Sequence, residues 1–199
     1  MSRNSYSQNG EDTIVSALFS SPGTLLEIGS WEPRNLSNSR ALIEMGWSAV
    51  LCEFSPEPVR QLVKEYAGNP KVKVIAAAIT AEEGHVSPYQ ITDDALSTND
   101  PVQLQIWREK GGYFGQLYVP TLSLRALIEQ FFGQTKIDFA SIDTEGSSPE
   151  IAIALMRTDW RPKVLCVEHN AAQVRIMEVA QEYQYRCIHM NQENMILCR

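Results

Sequence analysis

The chain has 199 residues, of which 44% are hydrophobic and 21% charged, and its formal net charge is −7. This length and composition are typical of one globular domain that buries roughly two-thirds of its unfolded surface. The acidic balance argues against a nucleic-acid partner, because binding to nucleic acid requires clustered Lys and Arg side chains.

Membrane and export signals are not visible in this sequence. No apolar run approaches the roughly 18 residues of a membrane span, and the segment 1–6 lacks the apolar part of a secretory signal. The four cysteines do not form a C-x-x-C pair, which predicts reduced thiols. We therefore expect a cytoplasmic protein without a membrane span.

The first third of the chain alternates predicted helices and strands. Apolar spacing predicts a helix over Ile14–Phe19, and a helix capped by Ser37 or Asn38 extends to Met45. A further helix starts at Ser55–Pro58, where proline is favoured at the first helical turn. Continuous apolar runs predict strands at Thr24–Ile28, Ser48–Glu53 and Val72–Ala78.

The middle of the chain, from Thr80 to Tyr118, has weaker periodicity. It contains a predicted strand at Val86–Ile91 and a short predicted helix at Val102–Lys110. A connection this long is usually a lid or a binding loop. We expect a lid-like insertion within a single domain that covers residues 1–199.

Regular alternation resumes after the insertion. Helices are predicted at about 122–131, 149–156 and 172–182, and strands at 137–142, 163–167, 185–189 and 195–198. Strand–helix alternation with continuous apolar strands predicts an α/β fold, a doubly wound and mostly parallel sheet. Ligands bind beyond the carboxyl ends of such strands, and acidic residues end four of them: Glu27, Glu53, Asp143 and Glu168.

The first two acids, Glu27 and Glu53, predict a nucleoside site, since an acid at the end of the second strand accepts hydrogen bonds from ribose hydroxyls. The loop after the first strand contains one glycine, Gly29, whereas a dinucleotide site requires G-x-G-x-x-G. Glu32 in the same loop would repel a phosphate. S-adenosylmethionine (SAM) carries no phosphate and has a sulfonium and an ammonium group, so the residues favour SAM over NAD.

Seven short motifs, taken in order, resemble the FkbM-type SAM-dependent methyltransferases. They are Ser7–Asp12, Leu26–Gly29, Leu36–Ser39, Gly46–Trp47, Cys52–Phe54, Leu122–Leu124 and Ile142–Gly146. The resemblance implies a Rossmann-like class I methyltransferase fold with seven strands, the last of them antiparallel. It also implies methyl transfer, usually to a hydroxyl oxygen of a sugar or natural product. Where family members commonly have Asp-Gly, this chain has Glu32-Pro33.

Several residues are predicted to bind the cofactor. Glu27 is expected to bond the SAM amino group, although a carboxylate there also caps loops, and Glu53 is expected to bond the ribose. The other predicted cofactor-binding residues are Gln8 and Gly10 at the methionine end, Gly29 and Ser30 in the loop, and Phe54 and Ala78 near the adenine. For Phe54 and Ala78, plain core packing is the alternative.

Asp143 and His169 are the predicted catalytic residues. Asp143 would orient the acceptor hydroxyl or bind SAM, and His169 or Asp143 would assist removal of the hydroxyl proton. Two alternatives remain open for His169, a structural role and an oxygen-rich divalent-cation site of Asp143 with Glu168, His169 and Asn170. No residue is assigned as a metal ligand, and a divalent cation is kept only as an optional cofactor. Ser97 and Thr98 of the insertion are expected near SAM or the acceptor.

Three functions are compatible with these residues. The preferred one is a SAM-dependent O-methyltransferase whose partner is a small acceptor, a hydroxylated sugar or natural product. The alternatives are a non-catalytic module that retains the methyltransferase fold, with or without SAM, and an NAD(P)-dependent enzyme, which the single Gly29 disfavours. The oligomeric state is open, with a homodimer as one option.

Overall fold

The computed structural model describes residues 5–82, 86–92 and 95–199. Seven helices and ten strands occur within these residues. The helices are α1 Glu11–Ala17, α2 Arg40–Glu44, α3 Pro56–Tyr66, α4 Pro101–Glu109, α5 Leu124–Phe131, α6 Ser148–Met156 and α7 Gln173–Glu182. The strands are β1 Thr24–Ile28, β2 Ser48–Glu53, β3 Val72–Ala76, β4 Ala78–Thr80, β5 Val86–Ile91, β6 Gly115–Ser123, β7 Phe139–Ile142, β8 Val164–Glu168, β9 Arg186–Met190 and β10 Asn194–Cys198.

Seven strands form the main sheet in the order β3-β2-β1-β7-β8-β10-β9. The first five strands in this order are parallel, and β10 runs antiparallel to both β8 and β9. The predicted fold class, a mostly parallel sheet with an antiparallel last strand, is confirmed. The order reverses at β1, so the carboxyl ends of β1, β2 and β7 meet at one edge of the sheet, where such folds bind ligands.

Both faces of the sheet are covered, as a doubly wound fold requires. Adjacent residues of β1 point to opposite faces, since side chains alternate along a strand. Leu25 packs with Leu42 of α2 and Leu62 of α3, whereas Leu26 packs with Leu127 of α5 and Ile151 of α6. The two apolar cores hold the strand ends rigid and thereby fix the positions of the polar residues that follow them.

A second sheet, in the order β4-β6-β5, forms from the segment predicted as an insertion. The single strand predicted over Val72–Ala78 is wrong, because β3 ends at Ala76 and β4, which starts at Ala78, pairs with β6 instead of β2. Strand β6 was not predicted. It contains Pro120, and proline is uncommon within strands because it cannot donate a hydrogen bond to the ladder. The role of this segment as a lid stays a prediction.

No helix among the described residues is both long enough and apolar enough to cross a membrane.

Candidate active site

A cleft with about 910 Å³ of space, counting its open mouth, lies at the edge where β1, β2 and β7 end. Three acidic residues are among the described residues that line it, Glu53, Asp143 and Glu145, and none of that lining is Lys, Arg or His. Such a lining suits a cationic ligand and disfavours a phosphorylated one.

Glu53 ends β2 and is held by the backbone of two loops. Its Oε1 accepts hydrogen bonds from the backbone N–H groups of Phe54 (2.8 Å) and Ser55 (2.7 Å), and its Oε2 accepts one from Trp31 (3.0 Å). The carboxylate is buried but lines the cleft. Since two carboxylate oxygens together accept about four hydrogen bonds, Glu53 keeps capacity for a ligand hydroxyl.

An apolar wall stands beside Glu53. The ring of Phe54 packs against that of Tyr89 with centroids 4.5 Å apart, and Ala78 of β4 lies in the same small apolar cluster. All three residues line the cleft. A flat aromatic group such as an adenine can pack against this wall while its sugar reaches Glu53.

The loop between β1 and α2 approaches β7 very closely at Gly29. A Cβ atom at this position would lie 1.6 Å from the backbone oxygen of Asp143, and Gly29 has a φ of +80°. Glycine is therefore required here for close approach of two backbones. The next loop residue, Trp31, also has a positive φ, of 45°, which is unusual for a bulky residue and typical of functional loops.

Glu27 lies beneath the cleft, and the residues that line the cleft do not include it. Its carboxylate is 4% exposed and accepts a hydrogen bond from the Ser39 hydroxyl at 2.6 Å. Burial raises the pKa of Glu27 to about 7, although hydrogen bonds from residues 38 and 39 oppose this shift. A cation bound nearby would lower this pKa again.

Asp143, Glu145 and Glu168 form a cluster of carboxylates at the ends of β7 and β8. One oxygen of each lies within 4.8 Å of the others. Removal from solvent and then the charges of Glu168 and Glu145 raise the pKa of Asp143 well above its usual range, and burial also raises that of Glu168. A proton shared between Asp143 and Glu168, or a cation, would relieve this repulsion.

The insertion contacts this acidic cluster directly. The Thr98 hydroxyl donates to the backbone oxygen of Glu145 at 2.5 Å, and the Trp107 Nε1–H donates to its Oε2 at 3.3 Å. Gly146 packs so tightly against Asp100 that a Cβ atom would lie 2.6 Å from the Asp100 Cβ. The segment therefore covers the β7 end of the cleft.

The cleft brings together six of the ten residues predicted for catalysis or cofactor binding: Gln8, Gly29, Glu53, Phe54, Ala78 and Asp143. Ser97 lines it as well. Gly10, Glu27, Ser30 and His169 are not among the lining residues. Gly10 instead precedes α1 with a φ of 87°, and the buried Ser30 donates its backbone N–H to Cys52.

The His169 ring is buried and engaged away from the cleft. Its Nε2 lies 3.3 Å from the Asn191 backbone oxygen, and its Nδ1 lies 2.9 Å from the Gln173 amide nitrogen. Its role as general base stays a prediction that this position does not support.

Glu32 lies outside the cleft, contrary to the expectation that it would repel a phosphate there. The Glu32 carboxylate accepts a hydrogen bond from the Asn35 side chain at 2.7 Å, and neither Glu32 nor Pro33 lines the cleft. Glu32 therefore does not face a bound ligand. A phosphate is still disfavoured, because the described lining of the cleft is acidic and contains no Lys, Arg or His.

Sequence reasoning missed two cleft residues of note, Tyr89 and Asn194. Tyr89 lies in β5, which was predicted as a strand, so an aromatic residue there was a usable signal. Asn194 lies at the start of β10, far along the chain from every predicted site residue, and only the fold brings it to the cleft.

Comparison with known proteins agrees with this geometry. The fold resembles that of the methyltransferase FkbM from Methylobacillus flagellatus KT, with a TM-score of 0.58, 11% identity and 95% of this chain covered. This chain spans about half of that protein, 48% of its length. Precorrin-6y C5,15-methyltransferase from Geobacter metallireducens GS-15 also matches, at a TM-score of 0.47 and 12% identity, over 100% of this chain and 92% of that one. No curated protein sequence matches the chain.

The sheet order and this likeness thus define the class by fold alone, a Rossmann-like α/β domain. A family model described as the methyltransferase FkbM domain matches residues 27–187. The chain belongs to the FkbM methyltransferase family, and this membership implies the use of SAM in general.

Proposed function

We propose that this protein is a SAM-dependent O-methyltransferase that acts on a hydroxyl group of a sugar or small natural product. The observation that carries the proposal is the lining of the cleft, which combines acidic groups with an apolar wall and, among the described residues, includes no basic side chain. A cationic nucleoside without phosphates fits such a site, and NAD does not.

In this proposal the two ends of SAM bind to different groups. Glu53 accepts hydrogen bonds from the ribose hydroxyls, while Phe54, Ala78 and Tyr89 contact the adenine. Gln8, which also lines the cleft, lies toward the amino acid end. When bound, SAM supplies an electrophilic methyl group on a sulfonium.

The acceptor enters where the insertion meets the acidic cluster. With SAM bound, the methyl group would pass to the hydroxyl oxygen of the acceptor as its carbon–sulfur bond breaks and the neutral thioether SAH leaves, and Asp143 would take the hydroxyl proton. The raised pKa of Asp143 makes it a better base than an ordinary carboxylate. The segment around Ser97 and Trp107 excludes water, so positioning supplies most of the rate enhancement.

Thermal unfolding with S-adenosylhomocysteine (SAH), SAM and NAD tests the binding step. A ligand at about 100 times its dissociation constant stabilises a protein by about 2.7 kcal/mol, which raises the melting temperature by about 5–10 °C at this size. We expect this rise with SAH and SAM and no rise with NAD. A rise with NAD alone would contradict the proposal.

Transfer of a labelled methyl group to a panel of hydroxylated sugars and natural products tests the chemical step. We expect transfer to at least one hydroxylated acceptor and none to its deoxy analogue. Binding of SAM without transfer to any member would instead support a non-catalytic binding module.

A further inference from the structure

The N-terminal motif is tied to the last strand through one buried carboxylate. Glu11 is 1% exposed, and its Oε1 accepts hydrogen bonds from the side-chain amides of Asn191 (2.8 Å) and Asn194 (3.0 Å). Its Oε2 accepts one from the backbone N–H of Asn9 at 2.9 Å. Burial alone would raise the pKa of Glu11, but these hydrogen bonds outweigh burial and lower it.

This arrangement fixes which way the Asn194 amide points. An ionised carboxylate only accepts hydrogen bonds, so the Nδ2 of Asn194 must face Glu11 and its Oδ1 must point elsewhere. The backbone of Asn194 is also held, because its N–H donates to Asn191 Oδ1 at 2.7 Å. The side chain therefore has one defined orientation.

The Oδ1 atom of Asn194 has no hydrogen-bond partner among the described residues, although Asn194 is only 4% exposed. An unpaired buried acceptor is costly, and native proteins pair nearly all such groups. Asn194 also lines the cleft. A hydrogen-bond donor of a ligand bound in the cleft would supply the missing partner.

The position of Asn194 identifies which part of a ligand would reach it. Glu53 ends β2, whereas Asn194 begins β10 opposite Glu168, and the strands β1, β7 and β8 lie between β2 and β10 in the sheet. A ligand whose ribose lies at Glu53 must extend past Asp143 to approach Asn194. At that end the donor in a SAM-like molecule is the ammonium of its amino acid moiety.

We propose that Asn194 is a cofactor-binding residue whose Oδ1 accepts a hydrogen bond from the ammonium group of SAM, and that Glu11 is the positioning residue that orients it. This inference rests on the proposed function, since it assumes a SAM-like ligand. The inference gives a role to the Ser7–Asp12 motif, because Gln8 lines the cleft and Glu11 holds the side chain of Asn194.

Calorimetric titration with SAH and with 5′-methylthioadenosine, which lacks the amino acid moiety, tests the inference. Hydrogen bonds to charged groups correspond to about a tenfold or larger change in affinity. We expect Asn194→Ala to weaken SAH binding by about tenfold or more and to leave binding of 5′-methylthioadenosine within about twofold. Glu11→Gln should show the same selectivity to a smaller extent. Asn35→Ala, at an exposed amide outside the cleft, is the matched control.

The outcomes are distinct. Equal loss of both ligands, or unchanged SAH affinity in Asn194→Ala, would overturn the inference. Wild-type protein that binds neither ligand would instead contradict the proposed function. Asn194→Leu keeps the branched side-chain shape at the start of β10 and removes the acceptor, so the same selective loss can be measured if the alanine variant fails to fold.

Discussion

The two ends of the cleft use carboxylates in opposite ways. At the β2 end, the Glu53 carboxylate is held by three backbone N–H groups from two loops. At the β7 end, Asp143 faces Glu145 and Glu168, and its burial, followed by their charges, raises its pKa. The Glu53 carboxylate is held by hydrogen bonds from the protein, whereas the Asp143 carboxylate lies close to two other carboxylates.

This difference separates binding from chemistry. A carboxylate held by backbone donors keeps a fixed position, which suits recognition of a neutral sugar. A carboxylate that is buried in an acidic cluster holds its proton to a higher pH than an ordinary carboxylate does, which suits proton transfer. Both residues are carboxylates at strand ends, so in the proposed function only their local environments distinguish binding from proton transfer.

Gly29→Ala should disrupt both ends of the cleft and have the largest effect on the free energy of unfolding. The new Cβ would lie 1.6 Å from the Asp143 backbone oxygen at a φ of +80°, so β1 and β7 could not stay paired at their ends. We expect a loss of roughly 4 kcal/mol or more, or no folded protein, in urea unfolding. Gly68→Ala is the control because nothing lies within 4 Å of its Cβ position. A Gly29→Ala variant as stable as wild type would contradict this description.

Glu27→Gln should stabilise the protein at alkaline pH, because it removes a buried charge beneath the cleft. The pKa of Glu27 is raised to about 7 in the folded state, so its ionisation costs stability as the pH rises from about 4.5 through 7. A glutamine does not ionise. We expect the variant to exceed wild type by roughly 3 kcal/mol at pH 8, with little of this gain below pH 4.5.

Urea unfolding of both proteins across this pH range measures the gain. The hydroxyl of Ser39 still finds an acceptor in the glutamine, so this hydrogen bond is not a confounding loss. A difference in unfolding free energy that does not change with pH would show that Glu27 is not the titrating group.

Glu53→Ala should damage the binding end alone. Loss of the acceptor for the ribose hydroxyls is expected to weaken SAH binding by about 100-fold, about 2.7 kcal/mol. Calorimetric titration measures this change, and Glu32→Ala, outside the cleft, is the matched control. Unchanged SAH affinity in Glu53→Ala would refute the ribose assignment.

The main sheet was predictable because its strands are continuous apolar runs. The bounds of β1 and β2 agree with the prediction residue for residue. The division between β3 and β4 was not predictable in the same way, because Val72–Ala78 reads as one strand and only a long-range partner, β6, separates its end. Such pairings depend on the whole fold rather than on local pattern.

The site was predictable where it follows strand ends directly, as at Glu53 and Asp143. His169 shows the limit of that rule. Side chains alternate at a strand end, so Glu168 joins the acidic cluster while the next residue points to Asn191 and Gln173. Asn194 shows the other limit, because its hydrogen bond to Glu11 spans 183 positions of sequence.

Asp143→Asn tests the acidic cluster at the β7 end of the cleft and has the smallest expected effect on stability. The raised pKa means that the folded state holds a proton that the unfolded state loses, so stability falls as the pH rises above the ordinary range of an aspartate. Asparagine removes one charge from the cluster. We expect the melting temperature to rise by about 2–4 °C at pH 8, the shift that about 1 kcal/mol produces at this size, and by less at pH 4.

The same variant distinguishes a shared proton from a divalent cation. If Asp143 and Glu168 share a proton, Mg²⁺ should change the melting temperature of neither protein, and a chelator should leave methyl transfer unchanged. If the cluster binds a cation, Mg²⁺ should stabilise wild type but not Asp143→Asn, because the variant loses one carboxylate ligand. Stabilisation by Mg²⁺ would indicate that the acidic cluster binds a metal ion instead of accepting a proton. Another base would then have to take the proton of the acceptor hydroxyl.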